Sequence, residues 1–240
     1  STNPGVVSYD PAFGYEIAHL LHEGIDRMYG PDRGENVIYY LTVYNEPIAQ
    51  PAEPENLDVE GLHKGVYLYS PAADSGADGH EASILASGVG MPWALKARDI
   101  LAEEYNVQAN VFSVTSWVEL AREGAAKNKE QLRNPAAQIE EAFATTQLKQ
   151  AKGETFVAVS DFATDLQEQI RAFVPGQYIV LGADGFGFSD TRPAARRYFN
   201  IDAESVVVAV LMGLAREGKI DISVAQEAAE KYQLDDPTVV

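Results

Sequence analysis

Apolar and polar positions alternate along this chain with two periods, and the switches between them mark out the elements. Asp10-Pro11 opens the first helical stretch, a capping residue followed by proline at the first helical position. Phe13, Ile17, Leu20, Leu21, Ile25 and Met28 then share one face at helical spacing, up to Gly30-Pro31. Residues 37–43 (VIYYLTV) form a continuous β-branched and aromatic run, the pattern of a strand buried on both faces in a parallel sheet. Residues 45–56 (NEPIAQPAEPEN) hold three prolines and three glutamates and read as a linker. A short strand is expected at 65–69 and a surface loop at 71–81.

A regular alternation follows. Strands are expected at 82–87, 107–114, 156–159 and 178–181, with helices at 93–105, 117–123 and 166–173 and a polar, partly helical stretch at 124–152. Two capped helices close the pattern. Asp190 is the expected cap of Thr191 to Phe199, with Pro193 in its first turn, and Asp202 the cap of a second helix that stops at Gly218. The fold class is therefore α/β: an open, mostly parallel sheet with helices on both faces and right-handed crossovers. The proline-rich stretch at 45–56 is the best candidate for a domain boundary.

Composition narrows the function. Of 240 residues, 46% are apolar, which suits a folded core, and the net charge of −18 opposes binding to nucleic acid or to an anionic membrane. Cysteine is absent, so disulfide and thiolate chemistry are excluded. No uninterrupted apolar run approaches the roughly 18 residues of a membrane span, and residue 1 is not followed by a basic, apolar leader. A cytoplasmic location is the expectation.

Candidate chemistry is sparse. Gly88-Val89-Gly90 sits where a dinucleotide turn would, but Trp93 replaces the third glycine and no acidic residue follows at the proper distance, which favours a tight strand-to-helix turn. Gly76-Ala77-Asp78-Gly79 and Gly182-Ala183-Asp184-Gly185 approach a Gly-Asp-Gly diphosphate–metal motif. Each has alanine first, and Asn106 and Asn110, downstream of the first copy, stand in poor contexts for a shared ion. His19, His22, His63 and His80 form no metal spacing, and no Gly-x-Ser-x-Gly elbow occurs. Asn45-Glu46, just past the strand at 37–43, lies on the edge where open sheets bind ligands; a capped turn with a solvated glutamate is the competing reading.

The wording of four segments goes further. YLTVYNEP (40–47), SVTSWVELAREG (113–124), LGADGFGFSDTR (181–192) and YFNIDAESVVVAVLMGLAREGKID (198–221) together resemble the C-terminal end of homodimeric pyruvate dehydrogenases, thiamine diphosphate enzymes of the transketolase superfamily. YDPAFGYEIAHLLHEGIDRMYG (9–30) fits the same family just upstream. The resemblance implies three α/β domains in the whole enzyme. Residues 1–52 would be the tail of the pyrimidine-binding domain, and residues 53–240 a C-terminal domain without cofactor contacts.

The resemblance implies oxidative decarboxylation of pyruvate with thiamine diphosphate and Mg2+, and transfer of the acetyl group to lipoamide of a dihydrolipoyl acyltransferase. The family's magnesium motif, activating glutamate and histidine loop have no counterpart in this sequence. The chain alone is thus expected to bind no cofactor and to be inactive, serving as scaffold and subunit interface of a homodimer beside an N-terminal part. Asn45 and Glu46 stand at the mouth of the implied active site, although Ile48-Ala49-Gln50 follow where some relatives have histidine. Asp184, Gly185, Phe186, Gly187 and Ser189 are the implied domain-interface loop. Two alternatives stay open: a non-catalytic interaction or regulatory module, and the same superfamily acting on another 2-oxo acid or a sugar phosphate.

Overall fold

The computed structural model describes residues 3–74, 79–236 and 238. Its centre is a five-stranded sheet in the order β3-β5-β4-β6-β7, made of β3 (Tyr67–Ser70), β4 (His80–Ala86), β5 (Val107–Ser113), β6 (Thr155–Val159) and β7 (Gln177–Leu181). Strands β4 to β7 are parallel, and β3 runs antiparallel to β5 at one edge. Period-two alternation sends neighbouring side chains to opposite layers. Ile84, Val111 and Val157 face a core built with α3 (Met91–Tyr105), α8 (Ala203–Arg216) and α9 (Ile222–Lys231). Leu85, Phe112 and Phe156 face one built with α4 (Trp117–Arg133), α5 (Phe143–Leu148) and α6 (Thr164–Glu168). The expected α/β sheet with helices on both faces is the observed one.

Helix α8 is apolar nearly all round because it is covered nearly all round: Val206, Val207, Val210, Leu211 and Leu214 are each 0% exposed. The stretch Arg192–Arg216 is long and apolar enough by composition to cross a membrane. It is divided here into α7 (Arg192–Tyr198) and α8, with Asn200 in the left-handed region (φ 53°) between them, and α8 serves as a core helix. Asp202 caps α8 as expected, its Oδ1 accepting from the Ser205 N–H at 3.0 Å. Asp190 does not cap α7. Thr191 does, its side chain accepting from the Ala194 N–H, while Asp190 accepts from the adjacent Thr191 N–H.

A two-stranded parallel sheet, β1 (Val6–Tyr9) and β2 (Ile38–Leu41), with α1 (Gly14–Tyr29) between the strands in sequence, lies beside the main sheet. Strand β2 is half-buried, not buried on both faces: Ile38 is 67% and Tyr40 58% exposed, while Tyr39 and Leu41 pack with Val7, Tyr9 and Leu20. The apolar run suits a strand covered twice, and this chain covers one face. The first helix begins at Gly14 rather than Asp10, because Glu16 reaches back to the N–H groups of Ala12 (2.5 Å) and Phe13 (3.0 Å) and fixes its start there.

The pattern missed β1, α2 (Val59–Lys64) and α9; α4 runs ten residues beyond Glu123 into the stretch at 124–152 expected to be partly helical, which also holds α5. The expected helix at 166–173 is α6 followed by a separate short 3-10 turn, Arg171–Phe173.

Candidate functional site at the carboxyl edge of the sheet

Strand order reverses at β4: the chain crosses to β5 on one side and returns to β6 on the other. The crevice between the carboxyl ends of β4 and β6 is the place where open α/β sheets bind ligands. Here residues from the first segment enter it. The Gly88 N–H donates to the Asp10 carbonyl (3.2 Å), and the Asp10 N–H donates to the Thr115 carbonyl (2.8 Å). The Asp10 carboxylate is 5% exposed and accepts from Thr42 Oγ1 (2.5 Å) and from the Tyr44 hydroxyl (2.6 Å). That hydroxyl also lies 3.2 Å from Asp161 Oδ1, at the end of β6.

Gly88-Val89-Gly90 is a 3-10 turn that leads into α3, with Gly88 at φ 49°. A Cβ there would lie 2.5 Å from the Tyr44 hydroxyl oxygen and 2.7 Å from Asp10 Oδ1, so the glycine is needed for both conformation and space. Gly88→Ala is expected to lower the unfolding free energy by about 2 kcal/mol. Urea denaturation checks this, and an unchanged midpoint would show that the crevice has slack. Nothing at position 88 in the sequence announced that Asp10 fills this turn; the only signal was an aspartate followed by proline, which reads equally well as a helix cap.

Asn45 and Glu46 lie just outside the crevice. Asn45 Oδ1 accepts from an Arg192 guanidinium N–H at 3.0 Å, and Glu46 pairs with Arg196, whose guanidinium sits 4.1 Å from the centre of the Trp93 ring. Together with Asp161, Ala183 and Phe199 these groups line a cavity of about 260 Å3. The structure thus brings Asn45, Glu46 and the stem of the loop at 184–189 to one cavity. Their polar atoms are engaged by α7, which ties the segment after β2 to the C-terminal helices.

In that loop Asp184 accepts from the Thr164 N–H and Oγ1, both at 2.8 Å, so both carboxylate oxygens are taken up at the start of α6. Gly185 has φ 90°, Phe186 is 98% exposed at the tip, and Phe188 stacks on Tyr198 with ring centres 4.3 Å apart. Asp184 does not fit a magnesium ligand in this arrangement, and among the described residues no group of three His, Asp or Glu side chains could hold a metal. Gly76, Ala77 and Asp78 of the first Ala-Asp-Gly copy lie outside the described residues.

His19 bonds Glu53 at 3.1 Å, and its ring centre is 6.3 Å from that of His63. Burial pushes the His63 imidazole below its ordinary pKa. His63 borders a charged cleft of about 1130 Å3, lined by Glu23, Arg27, Lys64, Glu119 and Glu123 among others, with opposite charges interleaved and no focus for one ligand charge.

The transketolase-like TK C-terminal domain family matches residues 65–202, and the pyruvate dehydrogenase E1 component middle domain family matches residues 1–51. The pyruvate dehydrogenase E1 component of Corynebacterium glutamicum is 72% identical over 240 residues, which is 100% of this chain and 26% of that protein. The Mycolicibacterium smegmatis protein of the same name is 61% identical, covering 98% of this chain and 25% of its own length. That of Escherichia coli K12 is 40% identical, covering 98% and 26%. The chain spans about a quarter of the length of these curated relatives.

Two solved structures share the fold. Transketolase from Leishmania mexicana superposes with a TM-score of 0.60 at 17% identity, over 89% of this chain and 26% of that one. A split-gene transketolase, described as an inactive beta4 tetramer, gives 0.59 at 14% identity over 89% and 59%. The chain belongs to the family of transketolase-like TK C-terminal domains and corresponds, over its whole length, to a stretch of the pyruvate dehydrogenase E1 component.

Proposed function

We propose that this chain works as the structural quarter of a pyruvate dehydrogenase E1 component, with residues 1–52 completing the pyrimidine-binding domain and residues 53–240 forming the C-terminal domain. The observation that carries this reading is the unfinished β1–α1–β2 unit. Leu21, Ile25 and Tyr29 on α1, and Ile38, Tyr40 and Val43 on and after β2, are between 49% and 79% exposed. An apolar strip of this size on one small unit suits a surface that further protein covers. The unit's other face is bound into the C-terminal domain through Asp10, Glu16 and Tyr67, which suits a part whose task is to hold that unit at a fixed position.

In the assembled enzyme, thiamine diphosphate would supply the electron sink for decarboxylation of pyruvate, with Mg2+ at its diphosphate. The described residues offer neither group a fitting site, so no step is assigned to them. Asn45 and Glu46 would border the active-site mouth, fixed in place by Arg192 and Arg196. The loop Asp184, Gly185, Phe186, Gly187 and Ser189 would meet a neighbouring domain through Phe186. A second subunit, a dihydrolipoyl acyltransferase that receives the acetyl group on lipoamide, and a cytoplasmic location complete the proposal. The split-gene transketolase of related fold, whose beta4 tetramer is described as inactive, is in keeping with a chain that needs a separate catalytic part.

The test is reconstitution. The chain alone is expected to give no heat of binding with thiamine diphosphate and Mg2+, and the protein extended to the length of its relatives is expected to bind both and to decarboxylate pyruvate. Phe186→Ser in the extended protein is expected to weaken domain or subunit association, read by analytical ultracentrifugation, with the fold of the chain unchanged. Tight cofactor binding by the 240-residue chain, or an extended protein that ignores pyruvate, would refute the reading.

A further inference from the structure

The switch-point crevice holds more carboxylate than its hydrogen bonds can satisfy. Asp10 Oδ1 has two donors, Thr42 and Tyr44, whereas Oδ2 is sealed from solvent with no hydrogen-bond partner among the described residues. The Tyr44 hydroxyl has one proton and faces two carboxylates, Asp10 and Asp161. Among the described residues no cation answers Asp10. From the end of β4 come Ser87 and Gly88, from the turn before α4 the Thr115 backbone, and from the end of β6 the like charge of Asp161. From the segment after β2 come Tyr44 and then Glu46. Burial raises the Asp161 carboxyl above its ordinary range, and Arg196 on α7, which pulls the other way, is paired with Glu46. Asp165 lines the adjoining cleft.

We propose that Asp10, Tyr44 and Asp161 form a proton-dependent latch: with a proton on the Asp10 carboxyl the first segment is held against the carboxyl edge of the main sheet, and release of that proton to solvent loosens the hold. With a proton on it, the Asp10 carboxyl is neutral in a site sealed from solvent beside Asp161. Ionised, it keeps the Thr42 donor, shares the Tyr44 proton with Asp161 and buries a charge that no cation among the described residues answers.

The direction of the pH effect follows from the environment. Burial outweighs the pull of the neighbouring Thr42, Tyr44 and Ser87 hydroxyls and, with the Asp161 charge, pushes the Asp10 carboxyl from 3.8 up to about 6. An acid whose pKa is raised on folding stabilises the closed form fully below its unfolded value. That contribution fades as pH rises through the window between the two values, and above about 6 it is gone. From pH 5 to pH 7 the closed-to-open constant is expected to fall about 10-fold.

Hydrogen exchange on the 240-residue chain reads this directly, because the Asp10 and Gly88 amides form the bonds that cross between the segments. After correction for intrinsic exchange, their opening constants are expected to rise about 10-fold from pH 5 to pH 7 in the wild-type chain and to stay flat in Asp10→Asn. A flat wild-type profile, or the same rise in Asp10→Asn, would overturn the latch. Carbon-13 titration of the wild-type Asp10 carboxyl is a second measurement that needs no variant. A midpoint near 6 supports the latch, and one under about 4.5 overturns it. Asp161→Asn is expected to move that midpoint down, and an unmoved midpoint would remove Asp161 from the latch.

Discussion

Replacing Glu16 with leucine is expected to cost about 3–5 kcal/mol of unfolding free energy, because it strands donors in a sealed interior. Glu16 is 0% exposed. Oε1 accepts from the Tyr67 hydroxyl (2.7 Å) and the Ser113 hydroxyl (2.6 Å), and Oε2 accepts from the N–H groups of Ala12 and Phe13. One side chain thus joins the start of α1 to β3 and β5. Burial holds its carboxyl above the ordinary glutamate range against the pull of these four bonds. The neutral amide of Glu16→Gln keeps the shape and an acceptor oxygen, so its expected cost is smaller, about 1–2 kcal/mol. Chemical denaturation followed by circular dichroism checks both, and a Glu16→Leu chain within about 1 kcal/mol of wild type would mean the hub is dispensable.

Trp117→Ala is the second large loss, about 3–5 kcal/mol. The indole is 1% exposed and packs with Leu85, Phe112, Val114 and Leu120, and its Nε1 donates to Ser87 Oγ at 3.1 Å. The same ring walls the cleft of about 390 Å3 between β2 and α6, so removing it joins a buried void to an open one. Trp117→Phe keeps most of the ring and leaves Ser87 without its donor, and it is expected to cost about 1–2 kcal/mol. Trp93 remains as the fluorescent probe in both variants.

The central strands of the main sheet were legible as short continuous apolar runs because helices cover both of their faces, and helices such as α3 because one buried face writes a period into the sequence. Leu85 and Ile84 point to opposite layers, and their neighbours on β5 and β6 repeat the alternation. Strand β1 was missed because four residues carry too little pattern, and α2 because a helix of six residues shows less than two turns of periodicity. The buried polar centre was illegible for a different reason. Asp10 and Glu16 look like surface helix-start residues, and only the tertiary fold sets Thr42, Tyr44, Tyr67 and Ser113 around them. Asn45 and Glu46 stood out in the sequence as strand-end polar groups, but Arg192 and Arg196, which hold them, lie about 150 residues away along the sequence.

The β1–α1–β2 unit and the main sheet are joined by the hydrogen bonds of Asp10 and Glu16 and are expected to unfold as one body. Amide hydrogen exchange on the intact chain, at a pH below the Asp10 midpoint, tests this most directly. Amides of β1 and α1 are expected to open with the same free energy as those of β4 and β5, and Glu16→Leu is expected to lower both sets together. Free exchange of β1 and α1 while β4 and β5 stay protected would contradict it.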